Sequence, residues 1–136
     1  MDNSPTETSL DKGVIHIIDD EQDIVTIASK ALEINSYSVH SFTNADEALA
    51  DIELKCRKKV RMLITDIRMP VHNGFEVARR TRAIVPTIPI IFMTAFEVNS
   101  LEFKNMFPSL DGKNEFLQKP FHVHTLLELV QKYDSS

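Results

Sequence analysis

Three aspartates, a threonine and a lysine stand where short apolar runs of this chain break off. Asp19 and Asp20 follow Val14-Ile15-His16-Ile17-Ile18, and Asp66 follows the run from Val60 to Thr65. Thr94 follows Ile88-Pro89-Ile90-Ile91-Phe92-Met93, and Lys119 follows Glu115-Phe116-Leu117-Gln118. If these runs lie side by side, three carboxylates, one hydroxyl and one ammonium share a single edge. Two carboxylates about 4 Å apart repel by about 4 kcal/mol at an effective dielectric near 20. Such a group must take up protons or share a cation. One lysine offsets only part of the charge, and hard oxygen donors suit Mg²⁺ or Mn²⁺. An aspartate beside such a cation is a nucleophile for phosphorus. Phosphoryl transfer then needs little more than positioning and neutralisation of the equatorial oxygens. Taken singly, the acidic pair could cap a helix and the lysine could be a surface charge. The coincidence of all five at run ends points to a site.

The elements between these residues must supply the geometry. The run at 14–18 is rich in β-branched residues and too short for a typical helix, as a strand buried on both faces would be. Ile24, Ile27, Ala28, Ala31 and Leu32 recur at the spacing of one helix face, and Asn35-Ser36 ends that helix. Tyr37 to Ser41 reads as a weaker strand near a sheet edge. Asn44 is an expected N-cap for a helix whose apolar face is Ala45, Ala48, Leu49, Ile52 and Cys56. Val60 to Thr65 is the third strand. A helix over Gly74 to Ile84 is expected to bury Phe75, Ala78 and the stem of Arg82, with Pro86 stopping it. Ile88 to Met93 is the fourth strand, Phe96 to Phe107 a helix, Glu115 to Gln118 the fifth strand, and Phe121 to Tyr133 the last helix. Strand and helix alternate five times, which implies a parallel sheet with helices on both faces. Ligands of such sheets sit at the carboxyl ends of the strands, where the five residues are.

Composition narrows the class. The chain has 136 residues, 43% hydrophobic and 26% charged. That is enough for one globular domain. Its net charge of −5 argues against direct nucleic-acid binding or attraction to an anionic membrane. The basic run Lys55-Cys56-Arg57-Lys58-Lys59 reads as a solvated helix end. Residues 1–12 are polar and read as a flexible tail, without the apolar core of a secretory signal. No run approaches a membrane span. The single cysteine, Cys56, allows no internal disulfide, and a soluble, cytoplasmic protein is expected. Neither Cys56 nor the five histidines show the spacing of a zinc site, and His16 is expected to be a hydrogen-bonded core residue.

The segments Ile17-Ile18-Asp19-Asp20-Glu21, Leu63 to Pro70, Phe92-Met93-Thr94-Ala95 and Phe116-Leu117-Gln118-Lys119-Pro120-Phe121, in that order and separation, resemble the receiver domains of response regulators in two-component signalling. The resemblance covers about Gly13 to Asp134. It implies a flavodoxin-like, doubly wound five-stranded sheet of order 2-1-3-4-5 in a receiver domain over residues 13–134. It implies that Asp66 is the phosphoacceptor, charged by a histidine kinase or a phosphotransfer protein. Mg²⁺ (or Mn²⁺) would be held by Asp19, Asp20, Asp66 and the main-chain carbonyl of Arg68. Thr94 and Lys119 would contact the phosphoryl group, and the Lys119–Pro120 bond would be cis. Thr94 and Phe116 would form the switch. The binding face would be the fourth helix, fifth strand and fifth helix, engaging a downstream protein or a second phosphorylated copy as a homodimer. Phe96, two residues past Thr94, resembles a position that tunes dephosphorylation. The chain would thus be a signalling switch rather than an enzyme, assisting its own phosphoryl transfer and slow dephosphorylation. No basic helix-turn-helix follows Tyr133, so the chain is expected to be either a stand-alone regulator acting by protein contact or a domain excised from a larger protein. Two other readings remain at this point. An aspartyl phosphohydrolase would want a second aspartate two residues after Asp66, where Arg68 stands. A nucleotide-binding flavodoxin relative would want a glycine-rich loop where Asp19-Asp20-Glu21 stands.

Overall fold

A computed structural model describes residues 13–95 and 113–134. Among them, five parallel strands form one sheet of order β2-β1-β3-β4-β5. In chain order the strands are β1 (Val14–Ile18), β2 (Val39–Phe42), β3 (Val60–Asp66), β4 (Ile90–Thr94) and β5 (Asn114–Gln118). The described helices are α1 (Gln22–Ile34), α2 (Ala45–Ala50), α3 (Gly74–Ile84) and α4 (Val123–Asp134). The expected helix over residues 96–107 and the expected tail over 1–12 lie outside the described residues.

The pleat sorts the core. Side chains alternate across a strand, so Ile15 and Ile17, Met62 and Ile64, and Ile91 and Met93 face one side with Ala28 and Leu32 of α1 and Leu126 and Val130 of α4. Ile18, Leu63, Ile90 and Phe92 face the other, against Ala48, Leu49, Val77 and Ala78 of α2 and α3. Each fully buried Ile or Leu contributes roughly 1.5–3 kcal/mol, so two layers of this kind hold β1, β3 and β4 firmly. Those are the strands that end in Asp19, Asp66 and Thr94.

Several expectations shift. The buried face of α1 is Val25, Ala28, Ser29 and Leu32, whereas Ile27 is 51% exposed. The face is centred about one residue away from the apolar stripe in the sequence, with Ile24 only half-buried. β4 pairs from Ile90, because Pro89 has no N–H to give. Arg82 uses its head as well as its stem, donating to the carbonyls of Ile88 and Lys113 at 3.0 Å each. Asn44 caps α2 as expected, accepting from the N–H of Glu47 at 3.1 Å. Asn73 does the same for α3 through Glu76, and each cap satisfies an N–H that the helix itself cannot.

The helix begun by α2 then widens. Asp51–Cys56 is a π-helical turn, closed by a 3₁₀ turn at Arg57–Lys59. Arg57 has φ 30° there. Asp51 is buried in the wide turn. Its Oδ2 lies 2.7 Å from Nε2 of His16 on β1 and 2.7 Å from Nδ1 of His40 on β2. The Cys56 thiol donates to the same oxygen at 3.5 Å. His16 and His40 are direct register partners across β1 and β2. The cluster therefore ties the irregular turn to the sheet edge. Burial pushes the pKa of His16 down against the pull of Asp51, so its ring is neutral. Burial also opposes ionisation of Asp51, but hydrogen bonds from His40 and His16 outweigh it and the carboxyl sits below its usual range. Burial and Asp51 push the Cys56 thiol up to about 11.

Candidate functional site

β1, β3, β4 and the residue after β5 deliver their terminal side chains to one rim. Asp19 is fully buried, and its Oδ1 accepts from the N–H of Glu21 at 2.9 Å. That bond turns Oδ2 toward Lys119, whose Nζ lies 2.7 Å away. The same ammonium is 3.6 Å from Oδ2 of Asp66 and 3.1 Å from Oε1 of Glu21. Asp20 is exposed beside them, and one oxygen from each of Asp19, Asp20 and Asp66 falls within 4.8 Å of the others. Thr94 is buried at the end of β4, in register with Gln118. The N–H of Lys119 donates to the Thr94 carbonyl at 2.7 Å, which brings the start of the next loop against β4. The Lys119–Pro120 bond is cis.

The loop after Asp66 is closed tightly. The Gly74 N–H donates to the carbonyl of Ile67 at 2.8 Å, and the Ile67 N–H donates to Met93 at 3.1 Å. A Cβ at Gly74 would run into the carbonyl oxygen of Asp66, so only glycine lets α3 begin this close to β3. Arg68 is exposed on the loop so formed. Phe116 is half-buried and stacks on Phe92 at 5.5 Å between ring centroids. This ring therefore packs against the core.

Burial, then the charge of Asp19, push the Asp66 carboxyl up to about 6, with Lys119 opposing and Asp20 adding. Burial likewise raises Asp19 despite Lys119. For Lys119 burial works against the charge, but hydrogen bonds to Asp19 and Glu21 outweigh it and the pKa is raised. The lysine is thus a fixed cation, and the carboxylates still exceed it in number. The donors are all oxygen, exposed on one side through Asp20. That set fits a hard divalent ion such as Mg²⁺.

The structure brings Asp19, Asp20, Asp66 and Lys119 together as their strand ends implied, and it adds Glu21, to which the sequence assigned no contact. Glu21 stands at the N-cap position of α1, makes no side-chain cap, and reaches Lys119 instead. The signal was a third acidic residue directly after Asp19-Asp20.

The family model described as the response regulator receiver domain matches residues 15–131. The chain belongs to the response regulator receiver domain family. The response regulator receiver protein CpdR of Brucella abortus is 34% identical over 87% of this chain and 93% of its own length. Response regulator SaeR of Staphylococcus aureus is 28% identical over 86% of this chain, which spans only 51% of SaeR. The chemotaxis protein CheY4 of Vibrio cholerae superposes with a TM-score of 0.76 at 28% identity, covering 89% of this chain and 98% of CheY4. This receiver domain thus carries the family's sheet order, and it functions as a signalling switch. No described helix is long and apolar enough to cross a membrane.

Proposed function

We propose that Asp66 accepts a phosphoryl group from the phosphohistidine of a histidine kinase or of a phosphotransfer protein. A carboxylate oxygen of Asp66 attacks phosphorus, the P–N bond to the donor imidazole breaks, and the released nitrogen keeps the electron pair and takes a proton. Asp19, Asp20, Asp66 and the main-chain carbonyl of Arg68 would hold Mg²⁺ (or Mn²⁺), which supplies charge neutralisation for the phosphoryl oxygens. Lys119 pairs with one phosphoryl oxygen and the Thr94 hydroxyl with another. The gathering of three carboxylates around one fixed ammonium carries this reading. At neutral pH, above its pKa of about 6, Asp66 is mostly ionised and available as the nucleophile.

The phosphoryl group then biases two packings of the switch. Thr94 turns toward it, Phe116 follows inward, and the face made by residues 96–107, β5 and α4 changes its binding to a downstream protein or to a second phosphorylated copy. The functional unit is residues 13–134, working in the cytoplasm. Slow self-dephosphorylation resets it, and Phe96 hinders the attacking water.

Incubation with acetyl phosphate and Mg²⁺ followed by intact mass measurement tests the central step. One added phosphoryl group is expected, absent in Asp66→Asn. Continuous release of phosphate from many substrates without a stable adduct would instead indicate a hydrolase. Decay of the adduct is expected to quicken in Phe96→Ala, and unchanged or slower decay would remove the role given to Phe96.

A further inference from the structure

The second side-chain cluster on β1 has the composition and shape of a metal site of a different kind. His16, His40, Asp51 and Cys56 each offer one ligand atom, all within 4.8 Å of one another. We propose that these four residues form a four-coordinate Zn²⁺ site at the β1–β2 edge, separate from the acidic rim.

Three observations carry it. The first is the donor set. Two imidazoles, a carboxylate and a thiol suit Zn²⁺ and disfavour Mg²⁺, which wants oxygen alone. The second is the spacing. A tetrahedral Zn²⁺ with bonds of about 2.0–2.3 Å has ligand–ligand edges of about 3.3–3.6 Å. Cys56 Sγ already stands 3.5 Å from Asp51 Oδ2 and 3.8 Å from His40 Nδ1. The two histidine nitrogens stand 2.7 Å from Asp51 Oδ2. An ion therefore needs each to retreat by only about 0.6 Å. The third is the wide turn. Residues five apart on an α-helix are separated by about 1.4 turns and face different ways. The i→i+5 bonding over Asp51–Cys56 brings both of these side chains to one face, toward the sheet.

The surroundings are built to keep that arrangement. The His16 ring is fully buried and stacks parallel on Phe42, at 6.1 Å and 7°. His40 stands edge-on to it at 5.4 Å. The His40 side chain is 42% exposed. An ion thus has the entry path from solvent that a metal site needs.

Co²⁺ serves as a coloured substitute for Zn²⁺, added to the 136-residue chain with thiols reduced and excess Mg²⁺ present. One equivalent is expected to give the intense visible absorption of four-coordinate cobalt and a thiolate-to-metal band in the near ultraviolet, both bleached by Zn²⁺. Cys56→Ser should lose the thiolate band and keep its fold by circular dichroism. His40→Ala, on the exposed side, should bind Co²⁺ and Zn²⁺ at least about 10-fold more weakly, since loss of a mere outer partner of a ligand already costs that much. Asp66→Asn should bind both ions as wild type does. Absence of tetrahedral absorption would overturn the proposal. So would a spectrum untouched by Cys56→Ser and His40→Ala but abolished by Asp66→Asn, which would put the ion at the acidic rim.

Discussion

Asp51 and Asp66 are buried almost equally, 8% and 7% exposed, and yet their carboxyl groups move in opposite directions. Asp51 meets three donors and sits below its usual range. Asp66 meets one shared ammonium and two other carboxylates, and rises to about 6. Burial alone therefore does not decide how such a group behaves. What decides is whether its neighbours balance it. An aspartate met by hydrogen-bond donors is held ionised, whereas one crowded by other carboxylates is driven toward protonation unless a cation joins it.

That contrast breaks most sharply at Asp51. Asp51→Ala removes the acceptor that His16 relies on and leaves a buried imidazole unsatisfied, a loss of about 2–3 kcal/mol. A lowered urea midpoint at unchanged slope would show it. An effect near zero would mean that the cluster does not fasten the turn to the sheet.

Asp66→Asn should act with the opposite sign. Between pH 3.8 and about 6 the folded chain keeps a proton on Asp66 that the unfolded chain releases. This group's contribution to stability therefore falls as pH rises through that window. The amide escapes the cost, and without metal the variant is expected to be more stable by about 1–2 kcal/mol at a pH of about 7.5, the carboxyl's partial exposure included. The gain should shrink toward a pH of about 4, and Mg²⁺ should raise the melting temperature of wild type more than that of the variant. His16 contributes a pH slope of the other sign, since the unfolded chain takes up a proton below 6.5 that the buried ring refuses. Melting temperatures of both proteins from about pH 4 to about pH 8 separate the two groups.

The smallest effect is expected at Glu21, whose partner Lys119 keeps Asp19 and Asp66. Glu21→Gln should cost less than about 1 kcal/mol, because an exposed carboxylate gains little from an ion pair. A larger loss would make Glu21 part of the balance at the rim.

The two regions also differ in how far the residues announce them. The acidic rim was legible because a parallel sheet places functional groups at strand ends, and each strand declared its own end by an apolar run giving way to Asp19, Asp66, Thr94 or Lys119. The His16 cluster was not, because its members stand at 16, 40, 51 and 56 with no local rhythm. They meet through the register of β1 on β2 and through a turn wider than an α-helix, neither of which periodicity encodes. A trace was there to read. His16 interrupts a run of buried aliphatics, and Asp51 lies three residues beyond Ala48, beside the apolar stripe of its helix. Two polar groups aimed at one core require each other. Ile27 taught the reverse lesson, since an apolar residue at the margin of a helix face can point to water at little cost.

The bond between Gly74 and Ile67 gives the stretch after Asp66 a narrow neck. Beyond it the loop runs from Arg68 to Asn73, with Met69 packed on the core and Nε2 of His72 2.9 Å from Oδ1 of Asp46. Substitutions at its exposed tip, Pro70 and Val71, change what meets the rim from solvent while Asp66 stays anchored in β3, so the approach to this carboxylate and its placement are free to evolve apart.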